Sequence, residues 1–115
     1  MKFLILLHGN AAAEAAMSDE ERRAVVEQHL AFSRHLSERG ARVMGEALGP
    51  PEAGRTIRFD GDEMLMTDGP YVEAKEAVGG FYVIEAASIA DATELVRPLP
   101  RSPGLVVEVR PIVDV

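Results

Sequence analysis

Regular structure has to stop at Asp68-Gly69-Pro70, and the rest of the chain is arranged around that break. Proline removes a backbone donor and glycine frees the backbone, so neither a helix nor a central strand passes through. Asp68 suits the same turn because its carboxylate accepts backbone hydrogen bonds. The run Thr67 to Glu76 sets six ionisable or hydroxyl side chains, among them Tyr71, Glu73 and Lys75, beside this rigid corner. It then meets Gly79-Gly80 and the apolar strand Phe81-Tyr82-Val83-Ile84. A polar excursion held between two ordered elements is a common place for a site.

The flanking segments read as an ordered alternation. Phe3 to Leu7 is apolar on both alternating faces, as in a central strand covered on both sides. Gly9 to Met17 is expected as a loop with loosely helical alanines. Ser18, with Glu21 three residues later, forms a capping box, and Asp19-Glu20 suit the positive end of a helix. That helix is expected to reach Arg39 and stop at Gly40. Its apolar stripe is Val25, His29, Phe32 and Leu36, flanked by Val26 and Leu30. Arg42 to Leu48 reads as a second strand, and Thr56 to Asp60 with Glu63 to Thr67 as a hairpin around Gly61-Asp62. Gly80 to Glu85 is the next strand. Ser88 caps a second helix that ends before Pro98, and Leu105 to Val113 is the last strand.

The order β-α-β, hairpin, β-α-β predicts an α+β, ferredoxin-like split βαβ fold, with an antiparallel sheet, an inserted β-hairpin and two helices on one face. The other face should be polar, yet Leu4 and Leu6 oppose Phe3, Ile5 and Leu7, while Val106 and Ile112 oppose Leu105, Val107 and Val109. An apolar face of this kind marks an interface. The expected partner is a second copy of the chain, sheet against sheet, giving a homodimer.

Composition narrows the function classes. The 115 residues fit a single domain, 1–115, whose core is aliphatic, since only four Phe and two Tyr are present. With no cysteine, disulfides, thiolate catalysis and cysteine-based zinc sites are excluded. A formal charge of −7 argues against nucleic-acid and anionic-membrane surfaces, which require clustered Lys and Arg. The apolar run at residues 3–7 is too short to span a bilayer or serve as a signal core, so the chain is expected to be soluble and cytoplasmic.

The phrase Asp68-Gly69-Pro70-Tyr71-Val72-Glu73-Ala74-Lys75-Glu76, then Gly79-Gly80-Phe81-Tyr82, and the closing Val107-Glu108-Val109-Arg110-Pro111-Ile112 resemble the DGPF group of YCII-related proteins. The opening Met1 to Leu7 and Val43 to Leu48 are similar to it as well. Tyr71 stands where that group usually has Phe. The resemblance implies a dimeric α+β barrel of the ferredoxin-like kind. It also implies acid/base work by a helix histidine, matched here by His29, paired with an aspartate near the second helix. Arg97 to Gly104, where that aspartate would fall, contains no acid. Members of the group are associated with extracytoplasmic-function sigma factors, which implies a regulatory context as the alternative to a reaction.

The candidate residues each carry two readings. His29 shares the sheet-facing stripe and is a general acid/base candidate, or a core histidine with one hydrogen bond. Glu46, inside an apolar strand beside Met44 and Leu48, would set the charge state of His29, or pair with Arg42 or Arg110. Asp68 is a carboxylate at the pocket mouth or a turn-former. Tyr71 and Lys75 would close the rim of a substrate pocket, with Lys75 and Arg110 as anion contacts. In the bland reading Lys75 is solvated and Arg110 pairs with Glu108 across strands. His29 and His35 are six residues apart on a helix and diverge by about 120°, so they cannot chelate together; the pairing left open is His29 with His8, at the end of the first strand. No metal and no cofactor is expected, because no chelating motif, phosphate loop or nucleophile elbow is present. The expected function is a small-molecule enzyme or binding protein, with proton transfer such as isomerisation as the simplest task. The alternative is a non-catalytic regulatory or interaction module.

Overall fold

The computed structural model describes residues 1–72 and 76–115. Strand β1 (Lys2–Asn10) leads through a one-turn helix α1 (Ala11–Ala15) into the long helix α2 (Asp19–Glu38). Strand β2 (Arg42–Ala47), a short 3₁₀ turn at Pro51–Ala53 and the hairpin β3 (Arg55–Asp60) and β4 (Glu63–Asp68) follow. The chain closes with β5 (Glu76–Glu85), α3 (Ile89–Leu95) and β6 (Val106–Pro111). The main sheet runs β2-β5-β1-β6, and every neighbouring pair is antiparallel. This is the split βαβ order: β1 and β2 are joined through α2 but separated in the sheet by β5. The α+β, ferredoxin-like expectation holds.

The two-residue periodicity of β1 decides how the layers form. Phe3 and Ile5 point to the helices and are fully buried, with Leu7 packed at the edge of the same cluster. Phe32 and Leu36 come down from α2 and Ala92 from α3, so both helices cover one face. Ile84 and Tyr82 fill the floor from β5, and Leu99 seals the end. Each large apolar side chain removed from water in this way contributes about 1.5–3 kcal/mol.

Local signals are largely obeyed. The Ser18 hydroxyl accepts from the Glu21 amide and the Glu21 carboxylate accepts from the Ser18 amide, both at 3.1 Å. Helix α2 ends one residue short of Arg39, and Gly40 takes the left-handed conformation with φ 65°. Three strands differ from expectation by more than one residue at an end. β1 continues to Asn10, whose side chain then caps α1 by accepting from the Ala13 amide at 2.9 Å. β5 begins at Glu76 rather than Gly80, because a register shift opposite Leu7 and His8 skips Gly79 and lets pairing resume at Val78. A glycine absorbs such a bulge cheaply. β6 is shorter than expected, running from Val106 to Pro111.

Hairpin β3–β4 forms its own two-stranded sheet, and no other described element packs extensively on it. Its two-residue turn places Gly61 at φ 59°, which fits a glycine at the first central position of a type II′ turn. The base is pinned: the Gly69 amide donates to the Gly54 carbonyl at 2.9 Å, and the Thr56 hydroxyl donates to the Gly69 carbonyl at 2.8 Å. The projecting arm makes the molecule flat and wide, 46 × 42 × 18 Å.

Candidate functional site

His29 lies midway along α2, on the stripe that also carries Phe32 and Leu36, and its ring reaches the sheet. Its Nδ1 is 2.8 Å from the hydroxyl of Tyr82 on β5, and the two rings stack at 6.0 Å. Phe32 meets the same tyrosine edge-on at 5.2 Å. Tyr82 packs against Gly45 of β2, its direct cross-strand partner. A Cβ at Gly45 would sit 2.5 Å from the tyrosine ring, so glycine is what admits the ring there.

Burial sets the charge states of this pair. Desolvation holds the His29 imidazole below its ordinary 6.5, so the ring is neutral at neutral pH. Burial pushes the Tyr82 phenol above its ordinary 10.0, opposed by the nearby Arg42 guanidinium, and it stays protonated. A neutral imidazole and a phenol share one hydrogen bond in two ways. With the Nδ1 proton donated to Tyr82, Nε2 presents a lone pair; with the hydroxyl donating to Nδ1, Nε2 carries a proton. The pair therefore offers both a base and an acid at Nε2.

Two lobes of one cleft meet at His29, sharing Leu7, Val26, Ala47 and Gly79 in their walls. The larger, about 760 Å³, is walled by Val25, Met17, Leu48 and Leu105, with Arg22, Glu14 and Glu52 at its polar margin. The smaller, about 280 Å³, runs along α2 to Tyr82 and Arg42. A mostly apolar hollow with a few convergent polar groups is the usual form of a small-molecule site. A separate open hollow of about 550 Å³ lies between His35, Arg39 and Arg97. Its basic groups are already engaged: Arg97 is held by Glu94 at 2.7 and 2.9 Å, and Arg39 donates to His35 at 2.9 Å.

The structure brings few of the other candidates to His29. Glu46 pairs with Phe81 in register and is exposed; from that strand position it still lines the smaller lobe together with His29, and no ion pair joins it to Arg42 or Arg110. Asp68 ends β4, strongly exposed, 3.3 Å from Arg55. Tyr71 is exposed and stacks beneath the Arg58 guanidinium at 4.9 Å. Arg110 opposes Leu4 on the outer face. Lys75 lies outside the described residues. His8 does not approach His29: its Nε2 donates to Glu108, 2.5 Å away, across the β1–β6 pair. The described residues hold no cluster of three or more potential metal ligands.

Sequence reasoning missed Tyr82 and Arg42 as neighbours of His29. One signal was present for Tyr82: a tyrosine on the buried face of a strand needs a partner for its hydroxyl.

The fold and cleft define a class, the ferredoxin-like α+β domains, here with an apolar hollow between sheet and helix. Within it the whole chain, residues 1–115, matches the model of the YCII-related domain. An uncharacterised protein of Rhizobium meliloti (strain 1021) is 32% identical over 99 residues, covering 86% of this chain and 80% of that protein. The chain belongs to the YCII-related family.

Proposed function

We propose that this protein binds a small, largely apolar molecule in the cleft at His29 and transfers a proton on it. The hydrogen bond between His29 and Tyr82 at the junction of the two lobes carries this reading. A neutral imidazole whose second nitrogen can accept or deliver a proton is suited to moving hydrogen between two positions of a substrate, as in isomerisation. Arg42 and the Tyr82 hydroxyl supply a positive and a donating group where negative charge would build on an enolic oxygen. Tyr82, rather than Glu46 or Asp68, then holds the His29 tautomer. The apolar walls supply binding and exclude water.

The test is ligand-induced thermal stabilisation across a panel of small enolisable and phenolic compounds. The wild-type protein is expected to be stabilised by at least one compound, and His29→Gln to lose that stabilisation while keeping its own melting temperature. A panel that stabilises neither protein, with His29→Gln merely less stable, would point to the regulatory-module reading.

The second part of the proposal is a homodimer through the outer sheet face. Leu4, Leu6, Phe81 and Val83 are only half-covered there, Met44 and Val106 are exposed, and β1 and β5 form the centre of the sheet. Covering this face with a second copy would remove it from water.

A further inference from the structure

The two strands of the β3–β4 arm divide its side chains by alternation. Ile57 opposes Met66 and Phe59 opposes Met64, all four on one face. Thr56, Arg58, Asp60, Glu63 and Thr67 share the other with Leu65, and Tyr71 packs against that side through Arg58. The face of Ile57 and Phe59, apolar beyond the Arg55–Asp68 pair at its base, has no cover among the described residues: Phe59 is 74% exposed, Met66 55%, Met64 51% and Ile57 48%. A lone two-stranded hairpin is marginal in water, and one carrying such a face is also an aggregation hazard.

The area of the whole chain says how much cover is missing. Its accessible surface is 8187 Å², whereas a compact monomer of this mass exposes about 6,100 Å². The radius of gyration is 16.1 Å, against about 13 Å for a compact domain of this length. The excess, about 2,000 Å², lies within what an obligate homodimer removes from each protomer. The outer sheet face alone falls short of a standard interface. Four strands at ~4.8 Å spacing and six residues at ~3.4 Å rise present a footprint of about 400 Å², half the roughly 800 Å² per partner of a standard interface. One apolar arm face adds about 200 Å² by the same spacing. In a twofold pair each protomer both gives and receives an arm, so the footprint reaches about 800 Å² per protomer.

We propose that the β3–β4 arm clasps a second copy of this chain through Ile57, Phe59, Met64 and Met66. The inference rests on the homodimer reading and extends it: sheet contact joins the two copies, and reciprocal arms hold them. The Arg58 face remains outward in the assembly. Pinning of the arm base at Gly54, Thr56 and Gly69 keeps it extended toward the partner.

Sedimentation velocity across micromolar concentrations tests this with three variants. Phe59→Asp/Met66→Asp alters the apolar face, Thr56→Asp/Thr67→Asp the opposite face of the same arm, and Leu6→Asp the sheet. The wild type is expected to be a dimer, the Phe59/Met66 pair to weaken dimerisation by about a hundredfold or more, and the Thr56/Thr67 pair to leave it unchanged. Circular dichroism should remain that of the wild type in the Phe59/Met66 variant, because these side chains support nothing within the chain. If that variant dimerises as tightly as wild type while Leu6→Asp does not, the clasp is refuted and the sheet interface survives. A well-folded wild-type monomer refutes both.

Discussion

At the residue scale, the proposed proton transfer depends on one contact between side chains 53 positions apart. Gly45 is the residue that permits it, since a methyl group there would collide with the Tyr82 ring. Gly45→Ala is therefore expected to displace Tyr82, break its bond to His29 and weaken ligand stabilisation as strongly as His29→Gln, with an overpacking cost of about 1–3 kcal/mol in stability. Thermal melts with and without a stabilising compound would check this. The sign of the pH response follows from the lowered His29 value. The folded state disfavours the protonated ring, so the unfolded chain binds more protons just below 6.5. That contribution to stability is fully present above the unfolded value and is lost as pH falls from there toward the folded one. His29 itself was legible in the sequence because it sits on an apolar helical stripe with Phe32 and Leu36. Its partner was not, because helical periodicity carries no information on which strand residue it will meet. Of the two carboxylates the sequence offers it, Glu46 lines the same lobe without a hydrogen bond to the ring, and Asp68 lies away on β4 beside Arg55.

At the scale of elements, the order of strands and helices could be read almost completely. Ser18 with Glu21, Ser88 with Asp91, and Gly40 mark ends by mechanisms that act within a few residues, and all appear as expected. The early start of β5 could not be read in the same way. Gly79-Gly80 looks like a break in isolation, and only pairing with β1 turns it into a bulge within one strand. The hairpin was visible from Gly61-Asp62, but its detachment from the main sheet was not, since a sequence pattern reports alternation and not where the strands lie. Gly61 is held at φ 59°, which a β-branched side chain strongly resists. Gly61→Val should loosen the arm specifically. Hydrogen exchange would then show faster exchange in residues 55–68 and unchanged protection in β1 and β5. Equal loss of protection in both would mean the arm is not an independent unit.

At the scale of the whole molecule, a two-layer domain only 18 Å thick leaves one sheet face and one arm face without cover. The apolar run at residues 3–7 announced the first of these, because Leu4 and Leu6 cannot share a layer with Phe3 and Ile5. The second came only with the structure. The net charge and the lack of cysteine restricted the chemistry without selecting it, and the family shared with the Rhizobium meliloti protein agrees with the fold. What favours the proposed chemistry is the cleft, where α2, β2 and β5 converge on His29. Ring-nitrogen NMR of His29 as a function of pH, in wild type and in Tyr82→Phe, tests that claim most directly. The account predicts an imidazole that titrates below 6.5 in the wild type, with Nδ1 in a hydrogen bond that vanishes in the Tyr82 variant. A His29 that titrates as a free imidazole, with Nδ1 shifts indifferent to Tyr82, would contradict it.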